Sequence, residues 1–409
     1  MKLYVAVPAM NEEDYIFKTI DSIQKQLYSN FKVFICINQP RSYWNNEKEY
    51  ICINNEKTYL KLLKISDNRF VIIDAFSKKK ALEDSRHNIG NIRRMIIDNI
   101  LTEADNDDII ISLDADTIFG ENYFMSIIDN FRKNQDVAAI SVPYYHCLSG
   151  DSNIDIAMLK YEIYLRSYFL NLLRINSPYS FLALGSAIAV KVYAYKRVGG
   201  IPVKSAAEDF YFLQNLCKNY FVLIHNEEKV YPATRISDRV PFGTGVSINN
   251  LSQGMVCKIY SPFFFDMVET TYKLFYELYK RDVETPMDGF LRFIFKKDDI
   301  WNNLRNNYKD KKNFVRACHT KINALRVHQF LNYMNNTRKI NIGNNFKDFV
   351  KLFKLDEAYK SSGVEYMKID SLDRFRNELV LKEDNYRKNI RFTGIKHYLS
   401  VNNDFFREE

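Results

Sequence analysis

The 409-residue sequence predicts an α/β fold, a mostly parallel sheet flanked by helices and followed by a mainly helical C-terminal region. Three observations carry that expectation. Over roughly the first 145 residues, short apolar runs alternate with helical stripes, which calls for a parallel sheet with helices on its faces. Carboxylates stand immediately after the fourth of those runs, at the strand ends where such a sheet binds its ligands. From about residue 255 onward helical spacing dominates and Gly and Pro become sparse.

Taken in order, Leu3–Val7 is the first strand. Ile16, Ile20, Ile23 and Leu27, spaced by four, three and four, stripe one face of the helix that follows, and Val33–Ile37 is the second strand. Phe70–Ile73 is the third; Ile89, Ile92, Ile96 and Ile100 stripe the next helix; Ile109–Leu113 is the fourth strand and Val137–Val142 the fifth. Residues 154–175 read as a long helix, Phe181–Val190 as a buried strand, and Phe210–Lys218 as a helix opened by Glu208-Asp209. This organisation predicts an α/β domain over residues 1–250, with its ligands at the strand ends, and a helical, basic accessory region over 251–409.

Composition excludes several classes. With 46% hydrophobic and 26% charged residues the chain is neither a disordered tail nor a fibre. The 30 Phe and 28 Tyr fit large cores or stacking platforms for sugar and base rings. The net charge of +8 is all C-terminal: residues 1–250 carry 29 basic and 29 acidic side chains, and 251–409 carry 29 and 21. Six scattered cysteines with no C-x-x-C pair point to reduced thiols in a cytoplasmic compartment and to no structural zinc. The N-terminal apolar run is too short for a signal peptide, and Phe181–Val190, ten residues long, is too short for a membrane span.

Two acidic sites can carry chemistry. Asp114 and Asp116, one residue apart in an extended segment, point the same way and can converge on one hard cation, or on a cation and a ribose; a strand-end turn or a cap explains the same pair. Glu208 and Asp209, about ninety residues on, open a helix, where they serve as caps or, aimed into a cleft, accept a proton from a hydroxyl. Before them, Gly199-Gly200 allows a tight turn, and Gly185 and Ser186 let a ligand approach the backbone closely.

Val7-Pro8-Ala9-Met10-Asn11-Glu12-Glu13, Asp114-Ala115-Asp116, Gly199-Gly200 and Glu208-Asp209, in this order and spacing, resemble the family-two glycosyltransferases of the Rossmann-like GT-A fold over roughly residues 1–245. The resemblance implies inverting transfer of a sugar from a nucleotide-diphosphate donor to a hydroxyl. It also implies that Pro8, Ala9, Asn11 and Glu12 line the nucleotide pocket and that Asp114, with Ala115 beside it, faces ribose or metal. Asp116 would bind Mg or Mn, and Asp209, next to Glu208, would be the general base. Asp74 would contact the base or serve only as a turn residue. In Ser85–Arg94, which resembles the family's basic segment before the central helix, Arg86 and Arg94 would reach phosphate, and for Arg93 a solvated helix face fits at least as well as such a contact. Arg235-Ile-Ser-Asp-Arg239-Val-Pro-Phe-Gly243-Thr-Gly245 resembles a mobile basic loop with Arg239 as the contact; a plain surface turn fits equally.

The sequence also departs from the family. Cys36-Ile37-Asn38-Gln39-Pro40 lacks the acidic residues with which many relatives bind uracil, which puts a uridine donor in doubt. No Q-x-x-R-W motif accompanies the acidic sites, so a single-addition enzyme is expected over a polysaccharide synthase. His146 and His225 are candidate third metal ligands or ordinary structural histidines. In the C-terminal region Cys318, Ile322 and Leu325 with neighbouring Lys and Arg suit an amphipathic helix that touches an anionic membrane surface or a phosphorylated acceptor, or a plain solvated face. Nucleic-acid binding is not expected of a neutral catalytic half. Two alternatives remain: a sugar-nucleotide-forming nucleotidyltransferase, which would want a Gly-rich basic loop after the first strand, and a noncatalytic scaffold of the same fold.

Overall fold

The computed structural model describes residues 1–236, 244–255, 257–337, 342–356, 359, 364 and 367–403. The chain divides into two compact units. One comprises Met1–Ile154, Leu182–Leu216 and Val222–Asn249; the other comprises Asp155–Phe181, Cys217–Phe221 and Asn250–Glu409.

The strands of the first unit are β1 (Leu3–Ala9), β2 (Phe31–Asn38), β3 (Phe70–Ala75), β4 (Ile109–Ser112), β5 (Thr117–Phe119), β6 (Val137–Ser141), β7 (Ile188–Lys191), β8 (Phe221–Leu223) and β9 (Val230–Pro232). The main sheet runs β8-β6-β7-β4-β1-β2-β3 within this unit. β1 lies parallel between β2 and β4, with Val5 opposite both Val33 and Ile111, and β2 lies parallel to β3. β7 is antiparallel to both β4 and β6. β5 and β9 form a separate antiparallel pair, Ile118 opposite Tyr231. The expected α/β, GT-A-like architecture is therefore present. β1 and β4 are buried along their whole length and β2 at every position but Lys32, so they read as near-continuous apolar runs rather than as an alternation.

The helices that matter for the site are α1 (Ile16–Gln24), α2 (Glu49–Leu62), α3 (Ile89–Ile100), α4 (Tyr123–Lys133), α5 (Ser152–Arg174), α6 (Val192–Arg197) and α7 (Glu208–Asn219). α1 buries Ile16, Ile20 and Ile23 but ends at Gln24, so Leu27 falls outside the stripe predicted for it and is 59% exposed. α3 starts where Asn88 Oδ1 accepts the Asn91 amide at 2.8 Å, satisfying a free helix-end donor, and it packs against β1 and β2. The amide of Gly90 donates to Lys204 O at 3.1 Å, so the first turn of α3 is fastened to the segment that leads into α7.

Phe181–Val190 corrects the sequence reading. Only Ile188 onward is strand; the preceding residues are buried but irregular, because pairing partners on β4 and β6 face β7 alone. Gly199 and Gly200 do form the predicted tight turn, both with positive φ (83° and 74°), a conformation that other residues adopt only with strain.

The second unit is helical. Leu159, Ile163 and Leu170 of α5 share a core with Phe346, Phe349, Phe375 and Leu379. Beside that core lies a buried charge network: Glu162 accepts from Arg166 at 3.3 Å and from Arg376 at 3.0 Å, and Arg166 also donates to Glu383 at 2.9 Å. Much of the aromatic content is used in packing. Tyr272, Phe275 and Tyr398 surround the buried His319, whose pKa burial pushes down to about 3. The single amphipathic helix expected around Cys318, Ile322 and Leu325 is instead two, Lys311–Lys321 and Ala324–Thr337. Ile322 leaves helical geometry (ψ 70°), and Asn323 starts the second helix by accepting the Arg326 amide at 3.1 Å. Arg338 and Lys339, part of the same basic stretch, lie outside the described residues. Among the described residues no helix is long and apolar enough to cross a membrane.

Candidate active site

β1, β2 and β4 are parallel, so their carboxyl ends deliver three turns to one edge of the sheet. After β1, which continues through the buried Pro8 and Ala9, Asn11 adopts positive φ (58°) and its amide donates to Asn55 Oδ1 of α2 at 2.8 Å. Asn55 Nδ2 in turn donates to Asn38 O at 3.0 Å and Gln39 Oε1 at 2.8 Å, so one buried amide side chain fastens the β1 turn to the β2 turn. Asn38 Nδ2 donates to Ala9 O at 3.0 Å, and His87 Nε2 lies 3.0 Å from Asn38 Oδ1. Burial pushes the His87 pKa down to about 4 and keeps the ring neutral. Where acidic residues were missing from the sequence, the structure thus has a neutral amide cluster.

Asp74, at the end of β3, accepts the amides of Phe76 (3.2 Å) and Ser77 (3.0 Å) and pairs with Lys80 at 3.4 Å. Burial opposes its ionisation, but those amides and Lys80 outweigh it and hold the carboxyl below the usual range. This is the turn geometry.

The β4 turn brings the first acidic site. Asp114 is paired with Arg93 and keeps its side chain 35% exposed; Ala115 is buried, its carbonyl held by Thr19 Oγ1 at 2.8 Å; Asp116 Oδ2 is 2.6 Å from Arg235 Nη2. The same Arg235 nitrogen is 2.6 Å from Glu12 Oε1, and its guanidinium lies 4.5 Å over the Tyr15 ring. Burial opposes charge on Arg235, but Asp116 and Glu12 outweigh it and raise its pKa. The second acidic site is built at the start of α7, where Ala207 adopts positive φ (57°), a strained value for a residue with a Cβ. Glu208 is buried, 3.1 Å from Arg93 Nε. Asp209 is half-buried, and its Oδ1 accepts the Phe210 amide at 2.7 Å. Burial first, then the neighbouring Glu208 charge, pushes Asp209 up to about 7, against the opposing pull of Arg93.

Arg93 is what the sequence reading missed. Expected on a solvated face or at a phosphate, it is 3% exposed and contacts Glu208, Asp114 and Ser112 Oγ, the last at 2.7 Å. Its neighbours in sequence, Arg86 and Arg94, are exposed. The signal available was its place one residue after Ile92 and three before Ile96 in the apolar stripe. What closely approaches Gly185 is this guanidinium, and Ser186 is buried. Arg239 lies outside the described residues. His146 is buried against Tyr144, ring centroids 5.3 Å apart, and His225 Nε2 is 3.7 Å from Glu227 Oε1. Among the described residues no three His, Cys, Asp or Glu side chains gather as a metal cage.

No curated protein matches the chain. In structure it is similar to S. aureus TarS residues 1–349 in complex with UDP-GlcNAc (13% identity, 95% of this chain and 92% of that one, TM-score 0.40). It is also similar to the mannosyltransferase PcManGT from Pyrobaculum calidifontis in complex with GDP-Man and Mn2+ (13% identity, 93% and 86%, TM-score 0.37). The family model described as glycosyl transferase family group 2 matches residues 109–265. That match begins at β4, takes in both acidic sites and continues past β9, and with it the chain is a glycosyltransferase.

Proposed function

We propose that the chain is an inverting, single-addition enzyme that moves a sugar from a nucleotide-diphosphate donor to the hydroxyl of a glycan, lipid-linked or small-molecule acceptor. The observation that carries this reading is the placement of Asp209, a half-buried carboxylate at the start of α7 next to Glu208, which Arg93 links to Asp114 of the β4 turn; burial and Glu208 push its pKa up to about 7. A base with that proton affinity is matched to its task at neutral pH. The acceptor oxygen forms its bond to the anomeric carbon from the face opposite the diphosphate and gives its proton to Asp209. The anomeric C–O bond breaks, and its electron pair leaves with the nucleoside diphosphate. The turn through Asn11 and Glu12 lines the nucleotide pocket, and residues 1–250 act as the catalytic domain, with 251–409 as an accessory region. The working location is the cytoplasm, in keeping with six scattered cysteines.

A divalent cation fits the β4 turn. Asp114 and Asp116 offer hard carboxylate oxygens, and Mg is commonly bound by one or two carboxylates together with substrate phosphates rather than by a full protein cage. Bound there, Mg or Mn would neutralise charge on the leaving diphosphate. Arg235 already contacts Asp116 and therefore competes for it. Arg235→Ala is expected to bind Mn2+ severalfold more tightly than the wild type in the absence of donor, read by the free-Mn2+ electron paramagnetic resonance signal; unchanged affinity would remove the competition.

The reading is tested by nucleoside diphosphate release from UDP-, GDP-, dTDP- and CDP-sugars with Mn2+ and an acceptor panel, with the product anomer assigned by NMR. Release with one base only and an inverted product are expected. Pyrophosphate release from a nucleoside triphosphate and a sugar phosphate, with no transfer, would overturn it.

A further inference from the structure

Arg93 occupies a slot made by residues far apart in sequence. Its Nε donates to Glu208 at the start of α7, its Nη1 to Ser112 at the end of β4, and its Nη2 to Asp114 just beyond. The fourth wall is Gly185: a Cβ there would overlap Nη2 and stand 3.0 Å from Cζ. A planar fork with donors on three sides can satisfy these acceptors together, which a lysine ammonium at the end of a flexible stem does not reproduce. Burial opposes the charge, but Asp114 and Glu208 outweigh it, so the guanidinium stays protonated.

We infer that Arg93 is a positioning residue that ties the donor-side carboxylate Asp114 to the α7 acid pair, holding Glu208 and Asp209 in register with the β4 turn. The inference rests on the transfer reading above. Arg93 touches neither sugar nor diphosphate in this role. It acts through Glu208, whose carboxylate it fixes, and through the charge it presents to Asp209, which otherwise faces the negative charges of Glu208 and Asp114. Two independent observations agree with this assignment: the missing Cβ at Gly185, and the bond from Gly90 to Lys204 that fastens the same helix to the segment entering α7.

Three variants test it. Arg93→Met removes fork and charge, Arg93→Lys keeps the charge alone, and Gly185→Ala displaces the guanidinium while keeping every charge. At saturating substrates kcat is expected to fall roughly a hundredfold in Arg93→Met and Gly185→Ala, with donor KM changed little, as for a misplaced reacting group. Arg93→Lys should recover part of the loss. The acidic limb of the pH profile should move up by about one pH unit in Arg93→Met, because Asp209 loses its nearby positive charge. Carboxyl 13C NMR titration of Asp209 reads the same movement without turnover, so it remains informative if the wild type releases no diphosphate from any donor. That last result would defeat the transfer reading and leave the positioning role standing. Folded variants with wild-type kcat, or an Asp209 midpoint that does not move, would overturn the inference. If Arg93→Met does not fold, Gly185→Ala decides it.

Discussion

Asp209→Asn is expected to reduce turnover by about 10²–10⁴-fold with little change in donor affinity, because the acceptor proton loses its destination. The wild-type rate should fall on the acidic side with a midpoint near pH 7, since burial and Glu208 raise the Asp209 carboxyl from 3.8 to about 7. That limb should vanish from the residual activity of the variant. The same perturbation has a stability consequence of definite sign. Between about pH 4 and pH 7 the folded chain holds a proton at Asp209 that the unfolded chain releases, so this group favours folding below the window and the benefit is lost as pH rises through it. Asp209→Asn should therefore melt at a higher temperature than the wild type at pH 8 and show no such gain near pH 4. Unchanged turnover in the variant would take Asp209 out of the role of base.

The second large effect lies in the helical unit. Glu162→Ala leaves Arg166 and Arg376 buried without the carboxylate that accepts from both, at 3.3 Å and 3.0 Å. Removing one partner of a buried ion pair costs about 3–5 kcal/mol, because the remaining charge stays desolvated. Urea unfolding should show a midpoint lowered by that amount divided by the m-value. Combining Glu162→Ala with Arg376→Met should recover much of the loss, since the substitution also removes a stranded charge. A single variant as stable as the wild type would show that the arginines reach water.

Residues whose roles follow from local pattern were legible in the sequence. The apolar run of β1, the Ile run of β4, the turn at Gly199-Gly200 and the acid pair opening α7 each declare themselves within a few positions. What escaped depends on partners distant along the chain. Arg93 looks like any helix arginine until residues 112, 114, 185 and 208 surround it, and Arg235 meets Glu12 from 223 positions away. Leu27 shows the opposite error: its spacing continues the α1 stripe, but spacing does not say where a helix stops. The break at Ile322 was missed for a related reason, because Asn323 acts as a helix start only once the chain has already turned. Asp74 remained ambiguous because a carboxylate that holds two amides and one that meets a base have the same local sequence.

The function we propose puts the nucleotide at the β1 turn, and on that proposal the amide bridge through Asn55 bears on donor capture. With the β1 and β2 turns already joined to each other and to α2, little loop freedom is left for an incoming nucleotide to quench. Their ordering is completed during folding, so encounter with the donor carries a smaller entropic penalty, and selectivity depends on the shape of an edge that is rigid beforehand.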